Sequence, residues 1–157
     1  MRIKHTLLGL GLLGAGFTII VGAAGWWGLH ALGQDMDNSV IATQATQEAT
    51  MGDMMHEGLR GDVFQALLYA QQNNPAGIET AQKEAAEHGQ EFTNRVANLI
   101  ALDLPADIHE GAMKVAPTVK QYAELGLRIT KLAGTDAAAA QAALPEFISL
   151  FQKLETE

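Results

Sequence analysis

The sequence contains no cysteine, and this absence removes several kinds of chemistry at once. Without thiols the chain cannot form disulfides, thiolate metal sites, a covalently attached c-type haem or a cysteine nucleophile. Any folded domain must therefore be held together by its apolar core. That is compatible with an exported domain as well as with an internal one.

Basic residues are also scarce, with 10 Lys and Arg against 18 Asp and Glu and a formal net charge of -8. Phosphate backbones are bound by clustered Lys and Arg, and no basic stripe runs through this chain, so we expect no nucleic-acid partner. Phosphate-binding loops, nucleotide fingerprints and nucleophile–base arrangements are missing as well. The sequence therefore predicts a protein that is not an enzyme and has no cofactor.

The N-terminus carries the longest apolar run. Arg2 and Lys4 precede a stretch from Leu7 to Leu32 that contains no Asp, Glu, Lys or Arg. About 20 apolar residues suffice to cross a membrane, so residues 1–33 are predicted to form a cytoplasmic stub and a transmembrane anchor in the lipid bilayer. The basic residues would hold the N-terminus in the cytoplasm, which would place the rest of the chain in the periplasm of a bacterial inner membrane.

Two further features bear on this anchor. Trp26 and Trp27 are suited to the far membrane interface, where aromatic rings collect. The small residues Ala23, Ala24 and Gly25 also offer a cleavage point, so a removed signal peptide is the alternative. The apolar run continues beyond them, which favours the anchor.

Residues 34–157 show almost no strand signal, and their apolar residues recur at three- and four-residue steps, so we expect an all-α domain. Pro75, Pro105 and Gly134 divide it into helices predicted over 34–73, 76–103, 107–133 and 136–157. Short connections between such stripes favour an antiparallel up-down-up-down four-helix bundle.

Smaller features of these helices carry expectations of their own. Asn74 and Asp136 are predicted N-caps, and Asp107 with Glu110 resembles a capping box. Pro117 should bend the third helix, and Pro145 should kink or divide the fourth. The fourth stripe still runs at Glu157, which predicts a further helical stretch and a second membrane crossing beyond it.

Two stretches resemble a known family. Residues 54–63 read MMHEGLRGDV and resemble an "MxHDxxRxDV" segment in the first periplasmic helix of methyl-accepting chemotaxis proteins. Leu144-Pro145-Glu146-Phe147 resembles the start of the final periplasmic helix of these receptors. The resemblance implies the sensing region of a transmembrane chemoreceptor that binds a small ligand, or a periplasmic binding protein, as a homodimer. The second span and the cytoplasmic relay of that family are missing here.

The candidate ligand-binding residues follow from helical spacing. Asp53, His56, Glu57 and Arg60 share one face of the first helix, and Arg60 with His56 offers donors for an anionic ligand. We predict a ligand site that also takes in two further residues, Asp62 and Arg95. The alternative is a set of ordinary ion pairs, of Asp53 or Glu57 with Arg60 and of Arg95 with Glu57 or Asp62.

A metal site is not expected from the sequence. His56, His88 and His109 lie on three predicted helices without a two-ligand pair on one face. The methionines at 51, 54 and 55 are more typical of core filling than of copper binding. The competing function is nevertheless an anchored or secreted bundle that binds a metal or a hydrophobic cofactor, and a structural envelope protein is a weaker one.

Overall fold

The computed structural model describes the backbone of residues 2–156 and the side chains of residues 21–30, 32–33, 36 and 38–156. This part of the chain is all-α, as predicted. Its four helices are α1 (Arg2–Gln71), α2 (Pro75–Ala101), α3 (Ala106–Ala133) and α4 (Ala137–Leu154). The chain divides into two compact units, residues 1–40 and residues 41–157.

The prediction of a membrane anchor is contradicted by the described residues. Within the side chains described, no helix combines the length and the apolar character needed to cross a membrane. From residue 21 onward, glycines, His30 and the polar residues after Gly33 interrupt the apolar side chains. The predicted inner-membrane location, with a cytoplasmic N-terminus and a periplasmic bundle, is therefore corrected. Residues 7–20 of the predicted anchor lie outside the described side chains.

Side chains cap the N-termini of α2 and α4. The side chain of Asn74 accepts a hydrogen bond from the Gly77 backbone N–H at 3.0 Å, and Pro75 takes the first position of α2. The side chain of Asp136 caps α4 in the same way through the Ala139 N–H. Both predicted N-caps are therefore confirmed.

Other local expectations are wrong. The predicted capping box at Asp107 and Glu110 does not form, because α3 begins after Pro105 without any side-chain cap. α4 runs through Pro145, so of the two predicted effects of this proline the division of the helix is wrong. α1 continues without a break from Arg2, whereas the first helix of the domain was predicted to begin at residue 34.

The core lies in the unit formed by residues 41–157. α2 packs on α3, and α3 packs on α4. The buried residues follow the apolar stripes seen in the sequence and include Phe92, Phe147 and Phe151. Gly126 lies where α3 meets Leu59 and Phe147, and a Cβ built on it would stand 3.0 Å from the Leu59 side chain. The glycine thus allows α1 and α4 to approach α3 closely.

Candidate functional site

A histidine stands at the centre of the core. His56 on α1 is only 4% exposed, and each of the other three helices places an aromatic ring beside it. The ring of Phe151 stacks on the imidazole at 4.2 Å, Tyr122 meets it edge-on at 5.0 Å, and Phe92 lies 5.6 Å away. The Tyr122 hydroxyl donates a hydrogen bond to the His56 carbonyl oxygen at 3.0 Å. Phe147 stacks on the far side of Tyr122 and completes this aromatic cluster.

The charge state of His56 is set mainly by burial. Removal from water lowers the pKa of His56 below its ordinary value, and the nearby Glu155, Glu57 and Asp53 oppose that shift. The ring is therefore neutral at pH 7. No hydrogen bond joins its side chain to another described residue, and its Nε2 is buried without a partner. Its Nδ1 lies 3.9 Å from Glu155 Oε1, beyond hydrogen-bond distance.

Arg60 lies beside this cluster and closer to solvent. Its Nη2 is 2.5 Å from Glu57 Oε2, which confirms one of the two predicted intrahelical partners. Its guanidinium carbon stands 4.3 Å from the ring centroid of Phe151, a cation–π contact. With 38% of the side chain exposed, Arg60 is the predicted site residue that an external anion can reach.

Asp62 belongs to a different polar contact, between α1 and α2. Its carboxylate Oδ2 lies 2.7 Å from His88 Nδ1, and the Asp62 residue is 3% exposed. Gly58 makes room for this pair, since a Cβ there would stand 3.1 Å from the His88 ring. Burial raises the pKa of Asp62, and the hydrogen bond to His88 partly offsets that rise.

Arg95 does not reach the positions expected of it. It pairs with Glu48 at 3.2 Å and with Glu91 one turn earlier on α2, and it contacts neither Glu57 nor Asp62. The ion pairs with Glu91 and Glu48 raise the pKa of Arg95. Through its pair with Glu48, Arg95 links α2 to α1 at a different height along the helices from the His56 and Asp62 contacts.

The predicted ligand residues thus fall into three groups. His56 and Arg60 flank Phe151, Asp62 faces His88, and Arg95 lies apart from both. The two tryptophans proposed for a membrane interface are highly exposed, Trp26 at 77% and Trp27 at 76%.

Sequence reasoning missed three contributors to the site. His88 had a usable signal, because it falls at helical spacing on the apolar stripe of Ala81, Ala85 and Phe92. Tyr122 was expected in the core, but nothing in the sequence showed that its hydroxyl would bond to the backbone of α1. Glu155 gave no signal, since it is one of many acidic residues.

An open depression lies next to His88. It has a volume of about 810 Å³ and is lined by Met55 of α1 and by residues of α2 that include Lys83 and Glu91. His88, the partner of the buried Asp62, is one of its lining residues.

Comparisons with protein-family models, with curated proteins and with solved structures find no match to this chain. Function is accordingly inferred from the geometry of the described side chains.

Proposed function

We propose that this chain is a non-enzymatic sensor module that binds a small ligand and converts binding into a shift of α1 against its neighbours. The observation that carries the proposal is a set of polar contacts inside an otherwise apolar core. Asp62 meets His88 of α2, and the His56 ring and backbone meet Phe151 of α4 and Tyr122 of α3. Small shifts of packed helices, of ~1–2 Å, are a common way of switching between two arrangements.

The proposed topology is an antiparallel up-down-up-down bundle. Support comes from the order of contacts, which runs in opposite directions along successive helices. Positions 62, 56 and 48 of α1 meet positions 88, 92 and 95 of α2. Gln82 and Gly89 of α2 meet Thr130 and Ala123 of α3. Residues 118, 122 and 128 of α3 meet residues 153, 147 and 146 of α4.

The resemblance to the sensing region of methyl-accepting chemotaxis proteins agrees with this proposal, because that region senses through a helical bundle. It also suggests a homodimer along the first helix. α1 exposes large apolar side chains at Met54, Phe64 and Leu68, which are 58%, 44% and 50% exposed. Met54, Leu68 and Gly61, which has open space around it, are seven residues apart, and Phe64 lies three residues after Gly61, as in a helix–helix seam.

If α1 forms this seam, a charged side chain placed in it should prevent dimerisation. Leu68→Lys should convert a dimeric wild-type chain to monomers, because the seam would have to bury an unpaired ammonium group. Light scattering coupled to size-exclusion chromatography gives the molecular mass. Met113→Lys is the matched control, since Met113 is a comparably exposed apolar residue on α3. A monomeric wild type, or equal loss of mass in both variants, would exclude this seam.

The ligand site is proposed at Arg60, beside the aromatic cluster. An anionic ligand there would exchange the Glu57 pair for a charge-assisted contact to Arg60. A screen of small carboxylates by thermal shift should identify a ligand, because binding to the folded state raises the melting temperature.

Arg60→Ala should weaken binding of such a carboxylate roughly 10- to 150-fold, since one charge-assisted hydrogen bond contributes about 1.5–3 kcal/mol. Calorimetric titration of wild type and variant measures this loss. Arg128→Ala is the control, because Arg128 is also a half-exposed arginine paired with a glutamate, Glu146 at 3.8 Å. Equal affinities of wild type and Arg60→Ala would show that Arg60 only forms ion pairs at the surface.

A further inference from the structure

One group of side chains brings together three potential metal ligands from two helices. One ligand atom each of His56, Glu57 and Glu155 lies within 4.8 Å of the other two. We infer that these residues form a binding site for a divalent transition-metal cation such as Zn²⁺, which would join α1 to the C-terminal end of α4. Among the described side chains, no other cluster of His, Asp and Glu meets this distance.

The donor set is chemically suitable. Burial keeps the His56 imidazole neutral, as a metal ligand must be, and two carboxylates complete an N/O set of the kind that Zn²⁺ accepts. Ligand atoms about 2.0–2.2 Å from a tetrahedral ion are about 3.4 Å apart, so the group has to contract by roughly 1 Å. Glu57 and Glu155 can make this movement, because their side chains are 43% and 51% exposed.

A second observation points to a missing ligand. The His56 ring is more than nine-tenths buried, and neither of its nitrogens is hydrogen-bonded to a described residue. The carboxylate of Glu155 stands 3.9 Å from Nδ1. With the proton on Nε2, the Nδ1 lone pair lies near the Glu155 carboxylate, which can only accept a hydrogen bond. A cation at Nδ1 satisfies all three groups.

The groups around the proposed metal site have opposing effects on cation binding. Glu155 is the C-cap of α4, and the free carbonyl groups at a helix C-terminus favour positive charge. Asp53 adds negative charge near the ring. Arg60 opposes binding, because it already pairs with one oxygen of Glu57 and repels a second cation. Arg60→Ala should therefore strengthen metal binding, whereas it should weaken binding of a carboxylate at the proposed ligand site.

The test uses the full chain without an affinity tag. Zn²⁺ binding is measured by calorimetric titration, and Co²⁺ serves as a visible-absorption probe of the ligand geometry. Glu155→Gln, at an exposed position where misfolding is not expected, should weaken Zn²⁺ binding at least tenfold. Glu146→Gln is the matched control on α4, with a carboxylate 69% exposed, and should bind like the wild type.

His56→Gln should also remove the visible Co²⁺ spectrum, with far-ultraviolet circular dichroism as the check that the variant is folded. The inference is overturned if the wild type binds no Zn²⁺, or if Glu155→Gln loses less than tenfold in affinity. It is independent of the ligand proposal. A failure to find carboxylate binding would not contradict the metal site. The two proposals are also distinguished by Arg60→Ala, which should weaken carboxylate binding and strengthen metal binding.

Discussion

Phe147→Ala is expected to lower the free energy of unfolding by about 3–5 kcal/mol, the range for truncating a buried phenylalanine. Phe147 is completely buried, and its ring stacks on Tyr122 with a centroid distance of 4.5 Å. It also approaches Gly126, where a Cβ would stand 3.1 Å from the Phe147 ring, so the neighbouring helices are tightly fitted around it. The cavity left by alanine has few side chains able to collapse into it.

Urea denaturation followed by far-ultraviolet circular dichroism measures this loss. Domains of ordinary size are stable by about 5–15 kcal/mol, so the variant should lie close to unfolding at room temperature. Ile108→Ala is the control, because Ile108 is 49% exposed on α3, outside the proposed seam, and its truncation leaves no core cavity. Similar losses in the two variants would mean that the core does not lie along the stripe of Phe147.

His88→Ala is expected to lower the free energy of unfolding by about 3 kcal/mol at about pH 8, because it leaves the charged Asp62 carboxylate without its hydrogen bond. Asp62 is 3% exposed, and the bond to His88 Nδ1 is its only hydrogen bond to a side chain among the described residues. A buried acceptor that loses its partner bears the full cost of its removal from water.

The direction of the pH dependence follows from the pKa of Asp62, which burial raises above its ordinary value. Between the ordinary and the raised pKa the folded state binds more protons than the unfolded state, so stability falls as the pH rises through that window. Removing His88 takes away an interaction that lowers the pKa, so the window should extend to higher pH. Relative to a variant that lacks both His88 and Asp62, His88→Ala should therefore be more stable at about pH 5 than at about pH 8.

The matched control removes both partners. Asp62→Leu combined with His88→Ala should recover most of the lost stability, since replacing both members of a buried polar pair by apolar groups is often nearly neutral. Thermal and urea unfolding at the two pH values provide the comparison. A double variant no more stable than His88→Ala at about pH 8, or a difference between these two variants that does not change with pH, would show that the pair is already hydrated.

Much of the core could be predicted because helical periodicity alone determines which side of a helix is apolar. The stripes containing Leu59, Phe92 and Tyr122 become the buried faces, and Asn74 and Asp136 cap their helices through contacts within three residues. Such local geometry can be predicted directly from the sequence.

Contacts between helices could be predicted less well, because they depend on register. The predicted ligand site combined Arg95 with His56, but Phe92 lies beside His56, and Arg95 lies one turn further along, opposite Glu48. An error of three residues is one helical turn, enough to exchange every polar partner. The convergence of Glu155 on His56 depends on the register of α4 in the same way.

The membrane prediction failed for a different reason. An absence of charge is not the same as a high density of apolar side chains, and the described residues after 20 are rich in Gly and include His30. The described part of their helix does not qualify as a span, although the run contains no charged residue.

The positions of the two tryptophans have a practical consequence for fluorescence. Both rings of this chain, Trp26 and Trp27, belong to the unit of residues 1–40, and none lies in the unit that contains the core. Their emission therefore reports on the surroundings of residues 1–40. A spectral change on adding Zn²⁺ or a carboxylate would report that residues 1–40 had responded, which turns these rings into a built-in reporter of communication between the two units.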